Sequence, residues 1–96
     1  MTKSQIEKCN QIAKYYGEST VLDVLCEESA EIIQASIKVR REFPDADNRL
    51  LDAVADLLIM LTEKMSFMDD DELTALSKII NAKLDCQLDI IKKKGH

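Results

Sequence analysis

Ninety-six residues make one domain, close to the size at which a second subunit often supplies part of the buried surface. The chain is 46% hydrophobic and 32% charged, with two glycines, one proline and no tryptophan, which is the profile of a helical protein. A formal charge of -5 disfavours broad contact with a nucleic-acid polymer, which needs a basic face to displace counterions, and no run approaches the roughly 18 apolar residues of a membrane span.

In chain order, the spacing of Ser4 and Glu7 predicts a capping box and a first amphipathic helix that carries Ile6, Cys9, Ile12, Ala13 and Tyr16 and stops at Gly17. Ser19 or Thr20 can cap a longer second helix, with Asp23 in its first turn, which Phe43-Pro44 ends. Asp45 to Asn48 read as a polar turn, with Asp47 or Asn48 capping a third helix through Leu50, Leu51, Val54, Leu57, Leu58, Leu61, Met65 and Met68. Between Ala53 and Leu61 the only charge on that helix is Asp56. A helix apolar around most of its circumference is normally covered on more than one side, so a subunit interface is expected. Asp69 and Glu72 repeat the capping pattern before a fourth helix with Leu73, Leu76, Ile79, Ile80, Leu84, Leu88 and Ile91, closing on Lys92 to Lys94 and Gly95. The predicted fold is all-α: a four-helix antiparallel bundle in a single domain, completed by dimerisation.

Cys9, Cys26 and Cys86 form no CxxC pair, and Met1 to Gln5 lead into no long apolar run. A reduced, cytoplasmic protein without a signal peptide is expected. His96 is the single histidine and the last residue, so histidine chemistry is not expected.

The second helix contains the informative stretch, Cys26-Glu27-Glu28-Ser29-Ala30-Glu31. Val21, Val24, Glu28, Glu31 and Ala35 follow one another at steps of three and four, one stripe of a helix, so two seam positions are acidic. Glu27 lies four residues before Glu31, and all three carboxylates fit within roughly a 100° arc. Withdrawing such charges from water unpaired costs several kcal/mol, so a cation is expected among them. Asp56 on the adjacent helix offers a further carboxylate. An all-oxygen set without cysteine or histidine selects a hard ion, magnesium or manganese. Magnesium keeps waters and binds phosphate, which points to phosphoryl chemistry on a small molecule. The plainer readings are a solvated acidic face for the three glutamates, and for Asp56 a buried carboxylate paired with a lysine or arginine.

Glu27-Glu28-Ser29-Ala30-Glu31, followed on the next helix by Ala55-Asp56-Leu57-Leu58-Ile59-Met60-Leu61, resembles the MazG family of all-α nucleoside triphosphate pyrophosphohydrolases, whose pattern is EExxE and then ExxD. Tyr16-Gly17 and Lys83-Leu84-Asp85 extend the similarity over most of the chain, toward the small, phage-like members. The resemblance implies magnesium-dependent hydrolysis of a ribo- or deoxyribonucleoside triphosphate between its α and β phosphates, in a homodimer or a dimer of dimers. It implies Glu28, Glu31 and Asp56 as metal ligands, with Glu27 a further ligand or the catalytic group that orients the attacking water. Lys38, Arg41 and Lys83 are the candidates to meet the triphosphate.

Two departures stand out. Ala53 occupies the position three before Asp56 where the family pattern has glutamate, and Asp52, four before Asp56, is the substitute on offer for metal binding. Cys86 stands where similar proteins tend to carry arginine. A rival reading follows from the first departure: a helical dimer that kept the fold, lost turnover and serves as a binding or structural module.

Overall fold

The computed structural model describes residues 1–95, and His96 lies outside them. The described residues form four helices and no strand: α1 (Lys3–Tyr16), α2 (Glu18–Arg40), α3 (Ala46–Met65) and α4 (Asp70–Lys93). No helix among them is long and apolar enough to cross a membrane.

Three of the four starts differ from those the sequence pattern suggests. The capping box at α1 is Thr2 with Gln5, not Ser4 with Glu7: the Gln5 N–H donates to Thr2 Oγ1 at 3.1 Å and the Thr2 N–H to Gln5 Oε1 at 2.8 Å. Both pairs have box spacing, and the earlier one satisfies the end N–H groups of a longer helix. Gly17 then serves two helices. Its N–H donates to Ala13 O at 2.8 Å, closing α1, and its carbonyl accepts from Val21 N–H at 3.1 Å, opening α2. Its φ of 87° is one that a side chain disfavours. Ser19 and Thr20 therefore fall inside the first turn of α2 and cap nothing. At α3 the residue ahead of the helix is Asp45, left-handed at φ 61°, and its Oδ1 accepts from Asn48 Nδ2 at 2.7 Å in place of a backbone N–H. Only α4 starts as its sequence suggests, with Asp69 Oδ1 accepting from Glu72 N–H at 2.8 Å.

The helices α2 and α3 pack along each other, and α1 lies across both. Their small core holds Ala13, Val21 and Met60, with Val24, Leu25 and Phe67 against it. Cys9 is buried in α1, Cys26 and Cys86 are exposed, and all three are free thiols. The antiparallel bundle expected of four helices is closed by only three within one chain. Leu73 and Leu76 are half-buried, whereas every residue from Ser77 to Gly95 is exposed and α4 buries none of its side chains. The inward stripe of α3 is already covered by α1 and α2, and α4 buries none of its apolar side against the three.

Candidate metal centre

The acidic stripe of α2 sits where its spacing puts it. Val21 and Ala35 are buried at either end, Val24 and Glu28 are half-buried between them, and Glu31 reaches the surface. Asp56 is half-buried on the facing side of α3. Glu28, Glu31 and Asp56 each offer a carboxylate oxygen, and the three lie within 4.8 Å of one another.

Among the described residues no basic side chain pairs with them. Among the described residues the one ion pair is Lys64 Nζ to Glu18 Oε2 at 2.7 Å, at the opposite end of the α2–α3 pair. The lysine or arginine partner considered for Asp56 is thus not there. Glu28 Oε2 is shut off from solvent without a hydrogen-bond partner. Ser29, in the middle of the motif, spends its hydroxyl on the Leu25 carbonyl at 2.7 Å. Burial first, then the charges of Glu31 and Asp56, hydrogen bonding to the Glu31 carboxyl and last the charge of Glu27 push the Glu28 carboxyl above its ordinary 4.5. An orphaned buried oxygen and mutual repulsion are the conditions a bound proton or cation relieves. Three oxygen donors without sulfur or imidazole fit a hard divalent ion such as magnesium or manganese.

Beside the trio, and sharing Glu31 with it, an open cleft of about 480 Å³ runs between the C-terminal half of α2 and the start of α3. Gln34, Ala35 and Lys38 line it from α2, and Asn48, Arg49, Asp52 and Ala53 from α3, with Asp45 at the turn. Its walls carry two cations, Lys38 and Arg49, against three carboxylates, Glu31, Asp45 and Asp52, so an anionic ligand would need a bound cation to offset the acidic side.

The remaining sequence candidates divide. Lys38 lines this cleft. Asp52 also lines it but stays outside the trio, so the substitute for the glutamate missing at Ala53 does not complete the cluster in this arrangement. Glu27 is exposed beside Glu28, within reach of its charge. Arg41 borders an adjoining hollow that shares Gln34 and Lys38 with the cleft, and Lys83 is exposed on α4, so neither lines the cleft itself.

Two groups were passed over in the sequence. Arg49 faces the cleft; its signal was the spacing Arg49, Asp52, Asp56 on one side of α3. Glu63 is only 4% exposed, seven residues beyond Asp56 and hence on the same stripe. Burial pushes its carboxyl above the ordinary 4.5. Burial, and then the Glu63 charge, also raise the Cys9 thiol.

No protein-family model matches this chain significantly, and neither does any curated protein or any solved structure.

Proposed function

We propose that the protein is a MazG-like, magnesium-dependent nucleoside triphosphate pyrophosphohydrolase that splits its substrate between the α and β phosphates, acting in housecleaning or control of nucleotide pools. The observation that carries this reading is the unpaired trio Glu28, Glu31 and Asp56, with its orphaned Glu28 Oε2, beside a cleft bearing Lys38 and Arg49. Glu28, Glu31 and Asp56 would hold the ion, which supplies charge compensation for phosphate oxygens and a more acidic water. Lys38 and Arg49 on the cleft walls would receive phosphate oxygens. Glu27, exposed at the edge of the trio, is the base that takes the proton of the attacking water. That water oxygen bonds to the α phosphorus, the bridging α–β P–O bond breaks, and pyrophosphate leaves as the monophosphate forms. A pair of chains, or a pair of such pairs, belongs to the same proposal.

The rival binding module draws its support from Ala53, which lines the cleft with only a methyl group where the resembled pattern would place a fourth carboxylate. Incubation of the purified protein with magnesium and a panel of ribo- and deoxyribonucleoside triphosphates separates the two. Equimolar monophosphate and pyrophosphate from at least one substrate is the expected result. Release of neither from any of them would reject the enzyme and leave the module.

A further inference from the structure

Contacts between α2 and α3 pair rising residue numbers with falling ones: Val21 with Met60 in the core, Glu28 with Asp56 in the trio, Lys38 with Arg49 along the cleft. The two helices are therefore antiparallel, and their seam carries three kinds of surface in a fixed order. The cleft with its two cations lies at one end and the acidic trio in the middle. Beyond the trio, Val24 precedes Glu28 by four residues and Met60 follows Asp56 by four, one turn on along each helix. Both line a largely apolar hollow of about 170 Å³, to which α1 contributes Ile12 and Tyr16. That is room for a small ring system, several times the roughly 30 Å³ share of one water.

Glu63 also lines this hollow and is 4% exposed. Among the described residues neither a hydrogen bond nor an ion pair reaches its carboxylate; the Ser66 hydroxyl donates to its main-chain carbonyl instead. The Cys9 thiol is pushed up by burial and then by the Glu63 charge, so it stays protonated and is a weak donor. Two acceptor oxygens at the end of an apolar slot cost free energy until a ligand brings donors to them. Glu63 stands seven residues from Asp56, about 10 Å along α3, the reach of a sugar and a base from a phosphate held at the trio.

We infer that the hollow is the base subsite and that Glu63 selects guanine, which makes guanosine or deoxyguanosine triphosphate the substrate class. The inference rests on the nucleotide reading above: with the α phosphate at the trio and the β and γ phosphates toward Lys38 and Arg49, the order of surfaces along the seam turns the base into the hollow. Guanine offers two adjacent N–H donors, N1–H and the 2-amino group, which match the two oxygens of a carboxylate in a bidentate, charge-assisted pair. Adenine and cytosine set an acceptor beside their amino group, and uracil and thymine flank N3–H with carbonyls, so each turns a lone pair toward a carboxylate oxygen. Hypoxanthine keeps N1–H but lacks the second donor.

The test is calorimetry in magnesium with the non-cleavable α,β-methylene analogues of GTP, ITP, ATP and UTP, beside hydrolysis of the natural triphosphates. The wild type is expected to bind the guanine analogue at least roughly tenfold more tightly than each of the others, with kcat/KM in the same order. Glu63→Gln replaces one acceptor by a donor, and is expected to cut the preference for guanine over adenine by roughly tenfold or more with helical circular dichroism retained. Should that variant unfold, GTP against ITP on the wild type decides, since the two differ by the 2-amino group alone. Guanine-selective binding without turnover keeps the inference and rejects the hydrolase. Turnover that ranks another base first, equal use of GTP and ITP, or a preference unchanged in folded Glu63→Gln overturns the inference and leaves the hydrolase standing. Binding of no analogue with hydrolysis of no triphosphate overturns both.

Discussion

Glu28 on α2 and Asp56 on α3 offer carboxylate oxygens within 4.8 Å of each other, with Glu31 completing the group and no basic side chain paired to any of them. Their proximity follows from the packing of α2 on α3, whose side chains meet along the stripe that runs from Val21 to Ala35 on one helix and from Ala53 to Met60 on the other. Two like charges at that range destabilise the fold, and a divalent ion between them would relieve that repulsion.

Magnesium is therefore expected to raise the thermal midpoint of the wild type. At a hundredfold excess over its dissociation constant the gain is about 2.7 kcal/mol, roughly 10–20 °C for a domain of this size. Glu28→Gln and Asp56→Asn each remove one donor and should abolish most of the shift while preserving helicity. Thermal unfolding with and without magnesium measures both.

The Glu28 carboxyl is raised in the folded state, so between its ordinary 4.5 and that raised value the fold binds more protons than the unfolded chain. The stabilisation from holding the proton is complete below 4.5 and is lost as pH rises through the raised pKa. Metal-free wild type should accordingly lose stability from mildly acidic toward neutral pH, and magnesium should cancel much of that fall. In Glu28→Gln the decline should be shallower. Urea midpoints across pH, with chelator and with magnesium, show the sign directly.

Glu63 obeys the same sign rule without a cation to gain. Its carboxyl is buried, on a hollow lined by α1, α2 and α3, and raised by that burial alone. Glu63→Gln should stabilise the protein at neutral pH, on the order of 1 kcal/mol, and should leave the magnesium-induced shift intact. A loss of the shift in this variant would extend the metal centre beyond Asp56.

Ala53 is 6% exposed and lines the cleft beside Asp56. Ala53→Glu should cost the metal-free protein about 1–3 kcal/mol by overpacking. Magnesium should narrow the gap to wild type, because the new carboxylate would add a donor beside the proposed metal centre. Turnover that is present in wild type and unchanged or lower in the variant fits an enzyme adapted to alanine. Turnover found only in Ala53→Glu supports the binding module.

Much of this arrangement is written in helical spacing. The stripe through Val21, Glu28 and Ala35, the single charge at Asp56 in an apolar run, and the Asp69 cap each follow from local rules, and the structure has them. Spacing is silent where one residue serves two elements: Gly17 ends α1 and starts α2 at once, which displaces the caps expected at Ser19 or Thr20. It is silent also on which stripe meets which. The apolar residues of α4 look like those of a bundle helix, yet none of them is buried within its own chain. Spacing gives no sign of Glu63 either, because a lone glutamate near a helix end normally faces water, and only the meeting of α1 and α2 with α3 buries it.

Titration of manganese, a spectroscopic stand-in for magnesium, into the metal-free protein under electron paramagnetic resonance tests the central claim most directly. Binding that is saturable, competed by magnesium, and strongly weakened in Glu28→Gln, Glu31→Gln and Asp56→Asn but unchanged in Glu63→Gln is the result expected. A wild type that leaves the manganese signal that of the free ion, or three acidic variants that bind as well as wild type, would contradict it.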